Sequence, residues 1–493
     1  MKLWSPLLPI HMGRCRRLAS AEGPEAPRAS LMTPPSRHDG DTFPYEWGGK
    51  LIVLVLAFFA FLPAAHAIDI KEITTPLGIK VWLVEEKSTP IIAMSFSFVG
   101  GTASESDKER GVTQLVAAMM TDGAGAFGAL AFKQRLEEAN VAMGFSASFD
   151  RLTGTFRTLT LNREESFGLL RLALTQPRFE QDQLDQRRQK MLSSLAQAQQ
   201  RPPAVAARTM MQAMFRDHPY AGDPEGTRQS LPALTVEDVK RRAGSLLTRN
   251  GLVVAAVGDI GEAELAREVD RVFGALPAGG LKPPTPDWTP AASAPGKPGR
   301  TIVVERAVPQ SVVLMALPGV PRDDRDWYPA FVMNHILGGG GMSSRLFTEV
   351  REKRGLAYGA SSSLRQYRKA AILVASTASA NERVAEAIRV AKGEFARLRD
   401  QGVTEQELKD AKTFLTGSLA TALDSSPAIA GLMHGMQIDG LSRDHLKDRP
   451  ALIDAVKVED VRRLARRVLR DEALTTIVVG KPVNVVSDPP QGQ

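Results

Sequence analysis

Arg351 and Tyr358 stand seven residues apart in REKRGLAY (351–358), and the pair suits one kind of chemistry. A guanidinium offers a forked cationic donor to a peptide carbonyl or carboxylate, and a tyrosine hydroxyl can stabilise the oxyanion of a tetrahedral intermediate. The competing reading pairs Arg351 with a glutamate of its own helix and packs Tyr358 into a sheet. Just upstream, Gly338, Gly339, Gly340 and Gly341 form a run expected to be a flexible, side-chain-free loop preceding a helix. No Lys-Ser/Thr follows it in P-loop fashion, so phosphate binding is weakly supported.

A second stretch is notable for chemistry it lacks. In GVTQLVAAMMTDGAG (111–125), Val112, Leu115, Val116 and Met119 fall at the spacing of a buried helical stripe. Gln114, Ala117 and Ala118 gather on the opposite side, where Lys, Glu or Arg would be usual. The bland reading is a helix side buried against a neighbouring loop.

Few other groups could act as ligand or nucleophile. Beyond residue 67 the histidines are His218, His335, His434 and His445, and no two have the i, i+3 or i+4 spacing of a ligand pair. His218 reads as a loop residue, His335 and His434 as core or interface residues among apolar neighbours, and His445 as exposed in a polar stretch. There is no G-x-S-x-G, and the one cysteine, Cys15, precedes residue 67.

These residues must be positioned by a chain of 493 residues, too long for one core. LTVEDVKRRAGSLLTRNGLVVAAVGD (234–259) returns as VKVEDVRRLARRVLRDEALTTIVVGK (456–481) at a constant offset of 222, and Pro203-Ala204-Val205-Ala206 returns as Pro427-Ala428-Ile429-Ala430 at 224. One module is therefore written twice. The expected division is a module over 68–275, a Pro/Gly/Ala-rich linker over 276–300, a second module over 301–485 and a tail over 486–493. Strands are expected at 78–86, 91–101, 153–161, 252–258, 301–307, 311–319, 370–377 and 474–480. Helical patterns include 163–175, 181–200, 204–216, 236–247, 326–337, 382–399, 404–423 and 458–469. The fold class is α+β, each module a mostly antiparallel sheet covered on one face by helices.

Residues 1–67 read as a leader. LIVLVLAFFAFLPAA (51–65) follows Lys50 and precedes Ala65-His66-Ala67, the layout of a secretory signal cleaved after Ala67. Translation starts at Met1 or Met32, and an uncleaved signal would be a membrane anchor. An exported chain without cysteine beyond the leader points to a Gram-negative periplasm or to secretion. The 62 Lys+Arg against 55 Asp+Glu are spread without a long run of one sign, which marks a solvated surface and no nucleic-acid partner.

The duplication, the export signal and three stretches together resemble the M16 (pitrilysin or insulinase-like) zinc metallopeptidase family. The stretches are the strand-turn-helix from Ile91 to Gly125, GGGGMSSRLFTEVREKRGLAYGASSS (338–363) and HPYAGDPEGT (218–227). The resemblance implies a half clamshell of two homologous modules. Family peptidases carry His-x-x-Glu-His at the positions of Gln114, Ala117 and Ala118, and a further Glu ligand near Ser194. All four positions are filled here by groups unable to bind zinc or activate its water. The resemblance also implies that Arg351 and Tyr358 reach substrate on a partner's zinc and that Gly338–Gly341 contact substrate. On that basis the chain carries no cofactor, and zinc is expected in a homologous partner bearing His-x-x-Glu-His, with peptide or unfolded protein as substrate. The alternative is a catalytically dead structural or peptide-binding scaffold of the same fold.

Overall fold

In the computed structural model the described residues are 68–279, 287 and 299–488. The leader with its apolar run, most of the 276–300 linker and the end of the tail lie outside them. Thirteen strands are described: β1 Lys71–Thr74, β2 Lys80–Glu85, β3 Ile91–Val99, the two-residue β4 Gly123–Ala124 and β5 Phe127–Gly128, β6 Ala142–Ala147, β7 Arg151–Leu159, β8 Val253–Gly258, β9 Thr301–Glu305, β10 Gln310–Pro318, β11 Ala357–Tyr367, β12 Ala370–Ala380 and β13 Thr475–Gly480. They form a six-stranded sheet in the order β1-β2-β8-β3-β7-β6, a five-stranded sheet in the order β11-β12-β10-β13-β9, and the β4-β5 hairpin.

The two large sheets repeat one topology. In each, a long central strand (β3 or β10) lies between two antiparallel neighbours. Each also has a single parallel pair, β2 with β8 and β13 with β9. The repeated sequence blocks thus build equivalent elements: helix Val236–Leu246 leads into β8 as helix Val458–Val468 leads into β13.

The long apolar runs of the central strands have a physical cause, because both faces of each sheet are buried. In β10, Val313, Met315 and Leu317 enter the core under the second half's own helices. Leu314 and Ala316 face the other way, into a cluster with Met210 and Met214 of helix Pro202–Phe215. Reciprocally, helix Ser426–Ile438 packs on β3 and β8 of the first sheet. Each half therefore lends one helix to cover the other half's sheet, beyond the single helical face expected of each module. The lent helices are the repeated Pro-Ala-x-Ala blocks.

One joint between the halves is polar. The Asp150 carboxylate accepts from Tyr220 Oη at 2.8 Å and from the backbone N of Arg368 at 3.1 Å. Tyr220 is fully buried and packs among Phe149, Phe215 and Tyr367, and burial pushes its phenol well above the ordinary tyrosine range. HPY (218–220) therefore works as a structural corner. Asp150→Ala is expected to cost about 2–4 kcal/mol, two charged hydrogen bonds at once, read as a lower urea midpoint at unchanged slope. No midpoint shift would show the joint to be idle.

Candidate active site

The helix with the blank face spans Val112–Met119 and packs against helix Val236–Leu246, β6 and helix Gln181–Gln200. Its start is strongly held. The buried Glu105 carboxylate accepts from the backbone N of Gly111 (2.9 Å) and of Thr113 (2.7 Å). Arg242 donates to Thr113 Oγ1, Gly101 O and Ser104 Oγ. Burial raises the Glu105 carboxyl above its ordinary range, while the Thr113 and Gly111 contacts and Arg242 pull the other way. A carboxylate at a helix start also suits the helix dipole. In the second half an ion pair stands before a helix: buried Asp326, just ahead of helix Trp327–Asn334, takes a bidentate pair from Arg463 at 2.8 Å each. Neither acid was singled out in the sequence, because the groups that hold each lie far along the chain or in the backbone.

The four positions that the resemblance assigns to the zinc site hold other groups. Gln114 Nε2 donates to Ala147 O of β6 at 3.3 Å, Ala117 is buried in the first half's core, Ala118 is partly buried, and Ser194 is exposed on its helix. An amide, two methyls and an exposed hydroxyl do not fit zinc, which takes imidazole, thiolate or carboxylate. Among the described residues no group of three His, Cys, Asp or Glu could hold a metal ion.

The histidines serve packing. His218 Nδ1 accepts from Tyr220 N at 3.2 Å. His335 stacks on Phe414 with ring centres 4.9 Å apart, and burial lowers its pKa. His434, on the lent helix, lies 2.7 Å from Ser97 Oγ of β3. That is nucleophile-to-base distance, yet Ser97 is fully buried and also accepts from Arg151 Nε at 2.6 Å, so the pair is a pin between the halves. His445, expected to be exposed, is partly buried, with Arg322 and Tyr328 Oη each 3.0 Å from its Nε2. Its cover comes from more than a hundred residues away, beyond the reach of local sequence.

Arg351 and Tyr358 are brought together. Arg351 sits in a π-helical turn, Thr348–Glu352, and Tyr358 is the second residue of β11, an edge strand. The guanidinium carbon lies 4.8 Å from the Tyr358 ring centre and 4.8 Å from that of Phe347, a cation–π sandwich. Tyr358 is 87% exposed, so it does not pack in the sheet. Arg351 has no carboxylate partner among the described residues, since Glu349 is taken by Lys353 and Arg354. Both competing readings of the pair thus fail on geometry: a half-buried guanidinium lies against an exposed phenol ring.

The glycine run departs from its expectation as a flexible loop. Gly338 and Gly339 end a π-helical turn, His335–Gly339, and Gly341 begins a 3₁₀ turn. Gly338 is pressed on the edge strand: a β-carbon there would stand 2.4 Å from Ser362 N. Gly341 has open space around it but a φ of +61°. Gly338→Ala is expected to cost about 2–3 kcal/mol by overpacking, and Gly341→Ala about 1 kcal/mol by backbone strain. Equal costs in thermal unfolding would contradict this packing.

Comparison with known proteins gives a consistent result. Residues 80–228 match the family model described as Insulinase (Peptidase family M16), and residues 233–415 match that described as Peptidase M16 inactive domain. A Helicobacter pylori protein named Non-peptidase homolog YmxG is 27% identical over 374 residues, 75% of this chain and 83% of that protein. A Streptomyces coelicolor protein named as an uncharacterized zinc protease is 29% identical over 301 residues, 60% of this chain and 64% of its own length. A crystal structure of a peptidase M16 inactive domain from Pseudomonas fluorescens superposes with a TM-score of 0.79 at 27% identity, covering 86% of this chain and all of that one.

Proposed function

Because this chain belongs to the peptidase M16 family, we propose that it is the zinc-free, substrate-binding subunit of an exported two-chain metallopeptidase. Its partner is a chain of similar fold carrying His-x-x-Glu-His, and the substrate is a peptide or unfolded protein. The observation that carries this reading is the pairing of Arg351 with an exposed Tyr358 on a chain that holds Gln114, Ala117 and Ala118 where the resemblance places the zinc motif. A chain that had abandoned peptide chemistry altogether would have no need of a free guanidinium beside an exposed phenol. In the assembly, Arg351 engages a carbonyl or carboxylate of the peptide and Tyr358 donates to the developing oxyanion. Water activation belongs to the partner's metal.

The similarity to a protein named as a non-peptidase homologue supports the absence of peptidase activity in the chain by itself. The apolar run at 51–65 ahead of Ala65-His66-Ala67 supports export to the periplasm. The test is an assay of peptide hydrolysis by the purified chain, by the zinc-bearing partner, and by the two mixed. Activity is expected to be high only in the mixture and to be lost in chelator. A partner fully active by itself would overturn the reading in favour of a scaffold.

A further inference from the structure

Three basic side chains crowd the turn ahead of β11: Arg351, Lys353 and Arg354. What separates them is the local helix geometry. Residues i and i+2 face apart on a helix, whereas i+4 stacks on i, and in a wider π-helical turn i+5 does so too. The turn Thr348–Glu352 is of that kind, closed by Lys353 N donating to Thr348 O at 3.0 Å. Glu349, buried, therefore meets both Lys353 Nζ at 2.6 Å and Arg354 Nη1 at 2.5 Å, and Arg354 also donates to the Glu349 carbonyl at 2.9 Å. Arg351, at i+2, is turned to the opposite side, against Phe347 and Tyr358.

The surroundings fix this arrangement. Arg383 donates to the carbonyls of Arg354 and Gly355 at 2.8 and 2.9 Å, and Ser379 Oγ to that of Leu356 at 2.6 Å. Arg345 holds the start of the segment through a bidentate pair with Glu407 at 2.7 Å each. Buried Glu394 lies behind, with Arg397 3.6 Å from it and 3.9 Å from Glu349. The Glu349 carboxylate therefore gathers two of the turn's three cations, with Arg397 at its outer edge, and Arg351 is left without a carboxylate partner among the described residues. A guanidinium lying on an aromatic face keeps its in-plane N–H donors for a ligand.

We propose that Glu349 is a positioning residue: by tying Lys353 and Arg354 to one side of the π-helical turn, it leaves Arg351 free and aligned with Tyr358 for a peptide group. The inference rests on the reading of the Arg351–Tyr358 pair given above. Glu349→Gln in the assembled peptidase is expected to lower kcat about tenfold or more, with KM within about twofold, because displacement of a catalytic group by about 1 Å is costly. Glu349→Asp, which keeps the charge, should recover part of the loss. Adding Glu349→Gln to a chain already carrying Arg351→Ala should cost nothing further, since the effect passes through Arg351.

A crystal structure of the Glu349→Gln chain by itself supplies the readout without activity: Arg351 should have left the Tyr358 ring. If that variant does not fold, Arg354→Met tests the same tie, with the same displacement expected. The proposal is overturned if Arg351 stays over both rings, or if the second substitution lowers kcat as much in the Arg351→Ala background as in the wild type. Should Arg351→Ala by itself leave hydrolysis unchanged, the active-site reading fails. The crystal structure then still decides whether Glu349 positions Arg351.

Discussion

Arg351→Ala combined with Tyr358→Phe is expected to lower kcat/KM of the assembled peptidase about 10²–10³-fold, the usual cost of removing donors to a transition-state oxyanion. On the proposed function both groups serve one reacting centre, so the two losses should be less than additive. The fold should not notice. Tyr358 is 87% exposed and Arg351 has no carboxylate partner among the described residues, so stability should change by no more than about 0.5 kcal/mol, as for other surface substitutions. That contrast makes the experiment clean: a large kinetic effect on an unchanged scaffold. Steady-state kinetics beside thermal unfolding would measure it, and an unchanged kcat/KM would assign the chain a structural role.

Acid should loosen the chain through His434. Burial, with Arg151 nearby, pushes its pKa from the ordinary 6.5 down to about 4. The folded protein thus holds the neutral imidazole while the unfolded chain takes up a proton between pH 6.5 and 4. The sign follows from linkage: stability is fully present above pH 6.5 and is lost as pH falls through 4, by about 3 kcal/mol. The protonated ring would sit in the core beside Arg151, which already donates to Ser97. On the reciprocal lent helix, Met210 fills the fully buried place that His434 fills here, so methionine is the natural substitution. His434→Met should remove about 3 kcal/mol of the difference in stability between pH 7 and pH 4. Parallel urea-midpoint curves for both proteins across that range would contradict this account.

Much of the fold was legible because burial on both sheet faces writes itself as continuous apolar runs, as in IIAMSFSFV and QSVVLMALP. The duplication fixed the pairing of equivalent elements before any coordinates. Three edge strands were not legible, the first being the four-residue β1, KEIT, which is buried on neither face. β6, AMGFSA, is only partly buried and has no β-branched residue, and β11 is rich in serine, so each is a strand by virtue of its neighbour. Nor could the Pro-Ala-x-Ala blocks announce that each helix crosses to the other half, since that is decided by packing between sheets.

At the site, the sequence spacing of Arg351 and Tyr358 matches two side chains that lie against each other. The role of Glu349 was hidden, because an α-helical reading of EVREKR does not stack Arg354 on Glu349; the π-helical turn does. The glycine run looked like a loop for the same reason. Gly338 is held to glycine because Ser362 of β11 leaves no room for a side chain there, a constraint that lies outside the run itself.

The most direct test is recovery of the tagged chain from the cells that make it, with mass spectrometry of what accompanies it and a peptidase assay with and without chelator. The account predicts a stoichiometric companion bearing His-x-x-Glu-His and hydrolysis that chelator abolishes. Recovery of the chain by itself or as a homodimer, without zinc and without activity, would contradict it and leave the Arg351–Tyr358 pair without a reaction to serve.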